Sequence, residues 1–151
     1  MKQFDDSKIV AKTAELEQMF KDERDKWNNK ITELVASIRY NDKFTDAMVL
    51  GLSYRQQIIE QIAQYKNVSA KRRSTIDKLR AARYREYMVE GDLKLSASEK
   101  NDAVNADLTA YTYQLNLIDN HTEFLRETLR MLTDFQYTIK NKLDMIKEEL
   151  M

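Results

Sequence analysis

Residues 104–150 read VNADLTAYTYQLNLIDNHTEFLRETLRMLTDFQYTIKNKLDMIKEEL. Within them Val104, Leu108, Tyr111, Leu115, Ile118, Thr122, Leu125, Leu129, Leu132, Gln136, Ile139, Leu143, Ile146 and Leu150 follow one another in alternating steps of four and three. That spacing keeps a single stripe on one side of a helix, the heptad pattern of helices that pack side by side. As one helix the stretch would run roughly 70 Å at ~1.5 Å per residue. Asn120 followed by Glu123 offers a second helix start, so a kink near Asp119 stays open.

The stripe is broad. Leu117, Phe124, Met131 and Met145 lie one heptad position beside it, with His121 and Phe135 between. An arc this wide needs more than one neighbouring helix. Earlier helices of the same chain could supply them, or each helix could touch two other copies and close a ring. The expectation favours the ring, with Leu108, Leu115, Ile118, Leu125, Leu129, Leu132, Ile139, Leu143 and Ile146 as its oligomerisation seam.

Upstream, Ser96 with Glu99 matches a capping box, which predicts a helix start at Ala97. Gly91-Asp92 is the clearest turn signal. Near the N-terminus, Ile9, Leu16, Phe20, Trp27, Ile31, Leu34 and Ile38 share a helical face, starting near Ser7 behind two acids that suit the positive end of a helix dipole. Asn41 and Asp42 offer a break, and Thr45 a cap for a second helix with Met48, Leu52, Ile59 and Ile62 aligned. Asn67 and Ser69 leave open an interruption or only a bend before the basic stretch continues as helix to about Val89. The reading is an all-α protein: an N-terminal helical region at 1–66, a basic helix at 67–90, a turn at 91–97 and C-terminal heptad helices at 98–151.

Composition agrees. The 151 residues contain no proline and two glycines, too few for a turn-rich strand fold. There is no cysteine, which removes disulfides and thiolate metal sites and fits a reducing, cytoplasmic setting. No apolar run is long enough for a membrane helix.

Charge is the functional signal. The chain balances 25 basic against 25 acidic residues, yet residues 66–85, KNVSAKRRSTIDKLRAARYR, hold eight Lys or Arg and one acid, Asp77. Such an excess costs stability unless an anion relieves it. Several cations along a rod suit a phosphate backbone, and tyrosines among arginines suit the open bases of a single strand. The candidate DNA contacts are Lys71, Arg72, Arg73, Lys78, Arg80, Arg83 and Arg85, with Tyr84 and Tyr87 for stacking. Two readings compete: a solvated helix paired with the acids of residues 86–107, and a helix that docks an acidic protein partner while the heptads serve assembly alone.

His121 is the sole histidine, and a packed ring is the expected role. Trp27, Phe20 and Phe4 are expected as packing anchors. No glycine-rich phosphate loop or nucleophile motif is present, so an enzyme, a cofactor and a metal are not expected.

Residues 80–125, RAARYREYMVEGDLKLSASEKNDAVNADLTAYTYQLNLIDNHTEFL, carry a resemblance. Ala82-Arg83 with Tyr87, the turn at Gly91-Asp92, the start at Ser98-Glu99-Lys100 and the step Val104-Asn105-Ala106-Asp107 before a long apolar helix resemble the UvsY-type recombination mediators of large tailed phages. The likeness covers about residues 60–148. It implies a non-enzymatic, ring-forming helical protein that binds single-stranded DNA, helps remove single-strand-binding protein and loads the phage recombinase. It points to Arg83 as a DNA contact, with Lys71, Arg72, Arg73, Lys78 and Arg80 as basic neighbours. Ala81 departs from the family, which carries a base there, and the N-terminal helix is longer than the family's.

Overall fold

The structure, a computed structural model, describes residues 3–38, 43–90 and 95–150. All its regular structure is helical: α1 (Ser7–Ser37), α2 (Phe44–Glu90), α3 (Ala97–Asp107) and α4 (Thr109–Leu150). The sequence signals at Asn41-Asp42 and Gly91-Asp92 lie outside the described residues.

Helix starts follow local chemistry. The Ser7 backbone N–H donates to Asp5 Oδ1 at 3.0 Å, satisfying one orphan donor of α1 and holding the Asp5 carboxyl below its ordinary pKa. At α3 the capping box is complete: Glu99 N–H donates to Ser96 Oγ at 3.1 Å, and Ser96 N–H donates to Glu99 Oε2 at 3.2 Å.

Two points of helix continuity that the sequence leaves open are answered. Helix α2 runs unbroken for 47 residues through Asn67 and Ser69. The Ser69 hydroxyl donates to Asp119 Oδ1 at 2.7 Å instead of competing for its own backbone. The C-terminal stripe breaks at Leu108, not near Asp119. The break is slight, since Leu108 N–H still donates to Val104 O at 3.1 Å and Thr112 N–H to Leu108 O at 3.0 Å. Thr45 lies inside α2 rather than capping it.

The chain divides into two compact units, one of residues 1–19 with 65–120, the other of residues 20–64 with 121–151. In the second unit, α1 buries Phe20, Trp27 and Leu34, α2 buries Phe44, Gly51 and Ile58, and α4 buries Leu125, Leu132 and Ile139. Each set recurs every seven residues, the repeat that lets antiparallel or parallel helices interdigitate at a shallow angle. Trp27 anchors its layer. Its indole N–H donates to Gln61 Oε1 at 3.2 Å and its ring meets Tyr54 edge-on at 5.7 Å.

The ring of His121 is fully buried there, stacked on Phe20 at 4.1 Å with Nε2 2.6 Å from Glu23 Oε2. It is a packed histidine. Gln136 donates to Met48 O at 3.1 Å and accepts from Arg55 at 2.8 Å. Gly51 makes room for it, because a Cβ there would stand 3.0 Å from the Gln136 amide nitrogen.

In the first unit the core gathers Ile76 of α2 with Val104 and Leu108, flanked by Phe4, Leu79, Tyr84, Tyr87, Tyr111 and Leu115. Here α2 turns a different row inward: Ser69, Ile76 and Arg83 are its buried positions. The expected face with Leu52 and Ile59 is corrected, since both are exposed and their neighbours Gly51 and Ile58 are buried.

The residues expected to form the oligomerisation seam pack within the chain to different degrees. Leu108, Ile118, Leu125, Leu132 and Ile139 are buried, and Leu115, Leu129, Leu143 and Ile146 half-buried, by helices of the same chain. The main stripe is covered within the chain, whereas Met131 and Met145, beside it, stay exposed. Among the described residues no helix is long and apolar enough to cross a membrane.

Candidate nucleic-acid interface

The basic segment lies on α2 within the first unit. Its two sides have different fates because α3 and α4 carry acids that reach one of them.

On that side Arg83 is built in. Its side chain is 7% exposed, with Nε 2.7 Å from Asp107 Oδ2 and Nη1 2.6 Å from Glu86 Oε2. Tyr87 donates its hydroxyl to the same Asp107 oxygen at 2.7 Å. The rings of Phe4 and Tyr87 lie 5.4 and 5.2 Å from the guanidinium. Burial works against the Arg83 charge, but the hydrogen bonds to Asp107 and Glu86 outweigh it and raise the pKa above its ordinary value. The hydrogen bond to Asp107, then burial, raises the Tyr87 hydroxyl.

Two further arginines are held more loosely. Arg73 Nη2 meets Asp119 Oδ2 at 2.7 Å, and Arg80 Nη1 meets Asp77 Oδ1 at 3.3 Å, both with largely solvated guanidinium groups. Exposed pairs of this kind are worth ~0–1 kcal/mol and exchange readily for another anion. Arg72 is half-buried, and its Nε is enclosed without a hydrogen-bond partner among the described residues.

The reading that Asp77 alone opposes this charge is therefore corrected. Asp107 and Asp119, distant in sequence, supply counter-charge to Arg83 and Arg73. Five cations of the segment, Lys66, Lys71, Arg72, Lys78 and Arg85, make no ion pair among the described residues.

Lys71, Lys78 and Arg85 recur every seven residues and are all exposed, so they form a row on the outer side of α2 with ~10 Å between neighbours. Between them stand small residues, Ser74, Thr75, Ala81 and Ala82, all exposed. A strand laid along the row would meet charge without side-chain obstruction. Tyr84 and Tyr87, the expected stacking rings, are half-buried, and both pack on the Ile76–Val104–Leu108 core.

Sequence reading missed a second polar row. Asn105, Thr109, Thr112 and Asn116 step by four, three and four along α3 and α4, and with Tyr113 and Arg80 they line a groove of about 390 Å³. The signal was available as a polar stripe beside the apolar heptads. Among the described residues no group of three or more His, Asp or Glu side chains could hold a metal ion. Comparison with protein-family models, curated proteins and solved structures finds no match.

Proposed function

We propose that this chain is a non-enzymatic, single-stranded-DNA-binding recombination mediator of the UvsY type, acting in the cytoplasm of a phage-infected bacterium. The observation that carries the reading is the exposed row Lys71, Lys78 and Arg85, flanked by Lys66 and Arg72, without ion-pair partners among the described residues. Cations left uncompensated on one face gain most from a linear polyanion, which releases its condensed counterions on binding. Arg73 and Arg80 join the contact by giving up weak surface pairs. Arg83 and Tyr87 serve instead to fix α3 against α2, which holds the row straight.

One copy grips weakly, and several copies held together raise the effective concentration of sites. Self-association falls to apolar side chains that the second unit keeps exposed, among them Leu52, Ile59, Met131, Tyr137 and Met145. An assembly that bends the strand competes with single-strand-binding protein and leaves a track for recombinase.

The test is fluorescence anisotropy of a labelled oligonucleotide across a salt series, with light scattering on the same samples. Saturable binding that weakens steeply with salt is the expected result. Binding that is absent in dilute buffer overturns the proposal.

A second reading, a coiled-coil adaptor or inhibitor that docks an acidic protein, is favoured by one observation. A cleft of about 190 Å³ in the second unit sets Met48, Leu52 and Tyr137 beside Arg55 and Lys140. An adaptor of that kind shows little oligonucleotide binding in the same titration.

A further inference from the structure

Tyr84 and Tyr87, the rings that the sequence offers for stacking, are half-buried against the core. The first unit nevertheless presents another aromatic ring, Tyr113, half exposed. Its hydroxyl donates to Glu17, which fixes the ring from the α1 side and raises its pKa. The same ring borders the groove of about 390 Å³ that Arg80, Asn105, Thr109, Thr112 and Asn116 complete.

The chemistry of this lining is selective. The Asn105 and Asn116 side-chain amides each offer two donors and an acceptor, and neither makes a hydrogen bond among the described residues. Thr109 uses its hydroxyl proton on the Asn105 and Ala106 carbonyls, and its oxygen still accepts. Among the described residues Arg80 pairs only with exposed Asp77, at 3.3 Å, and no Leu, Ile, Val or Met side chain lines the groove. A planar ring, separate amides and a loosely held guanidinium match a base face, the edges of neighbouring bases and a phosphate. A pocket of 300 Å³ or more accommodates a ligand of that size.

We propose that this groove is a nucleotide subsite, taking one unstacked base of a bound strand on Tyr113 with its polar edge on Asn116, the edge of the neighbouring base on Asn105, about three turns along the same face, and the phosphate between them on Arg80. The proposal rests on the single-strand reading above, and it adds to the outer row a point where base identity is felt. Amides reading a base edge discriminate among bases, whereas the cation row does not.

The experiment compares a thymidine oligonucleotide with an abasic oligonucleotide of equal length, using the full chain and two variants, Asn105→Ala/Asn116→Ala and Tyr113→Leu. Circular dichroism confirms that each variant is folded. The wild-type chain is expected to prefer the base-bearing strand by at least ~5-fold, the lower bound for a stacked base. Both variants are expected to lose that preference and to keep the wild-type affinity for the abasic strand. Variants that keep the preference overturn the subsite.

A parallel titration of the 15N-labelled chain with thymidine monophosphate reads the Asn105 and Asn116 side-chain amide signals directly. Shifts there support a nucleotide pocket even if neither oligonucleotide binds, which would sink the single-strand reading alone. Unmoved amide signals together with equal affinity for both strands sink the subsite and leave the cation row standing.

Discussion

Arg83 Nε and Asp107 Oδ2 lie 2.7 Å apart, joining the C-terminal part of α2 to the last turn of α3. The pair is largely withdrawn from water, so removing one partner strands the other. Arg83→Ala is expected to lower stability by about 3 kcal/mol, the low end for a broken buried pair. Arg83→Lys recovers little, because a point charge cannot serve Asp107 and Glu86 together. Urea unfolding followed by circular dichroism measures both. A stability unchanged within error removes the structural role assigned to this arginine.

Reversal of the outer row should act on binding and spare the fold. Lys71, Lys78 and Arg85 are exposed and make no ion pair among the described residues, so Lys71→Glu/Lys78→Glu/Arg85→Glu leaves the melting temperature nearly unchanged. The log–log salt slope for single-stranded DNA should fall by about 2, at ~0.7 per lost phosphate contact. Anisotropy over a salt series decides it, and an unaltered slope places the contact elsewhere.

Alkaline pH tests the Tyr87–Asp107 bond. The folded-state pKa of Tyr87 is raised above its ordinary value of 10.0, first by the hydrogen bond to Asp107 and then by burial. The unfolded chain therefore releases this proton first. The associated stability is fully present below 10.0 and is lost as pH rises through the higher folded value. Tyr87→Phe is expected to cost about 1 kcal/mol at neutral pH and to show a shallower decline in alkali. Thermal melts of both proteins across that range give the comparison.

Leu125 separates a monomer core from an assembly seam. It is fully buried among helices of its own chain. Leu125→Ala should destabilise by about 2–5 kcal/mol, by the same amount at every protein concentration. A loss that grows on dilution would show that the stripe holds copies together rather than one chain.

Much of the fold is legible in residue order, because heptad stripes and caps act over a few turns of chain. Ser96 and Glu99 announce α3, and the 47-residue stripe announces the apolar face of α4. The neighbours of that face are not legible, since a stripe reads the same whether its own chain or another covers it. Nor is the inward row of α2, where adjacent apolar residues such as Ile58 and Ile59 leave a choice that only packing makes. The candidate site was legible as a concentration of charge. Its division into a built-in side and a solvated side depends on Asp107 and Asp119, whose meeting with Arg83 and Arg73 is tertiary. Tyr84 and Tyr87 show the same lesson: their spacing beside arginines suits stacking and core packing equally.

The first unit draws on residues 1–19 and 65–120, and the second on 20–64 and 121–151. Neither is a contiguous piece of chain. No truncation from one end, and no single protease cut, can therefore liberate one unit whole. A nascent chain has no complete unit until α4 emerges, so dissection by fragments calls for co-expression of complementary pieces.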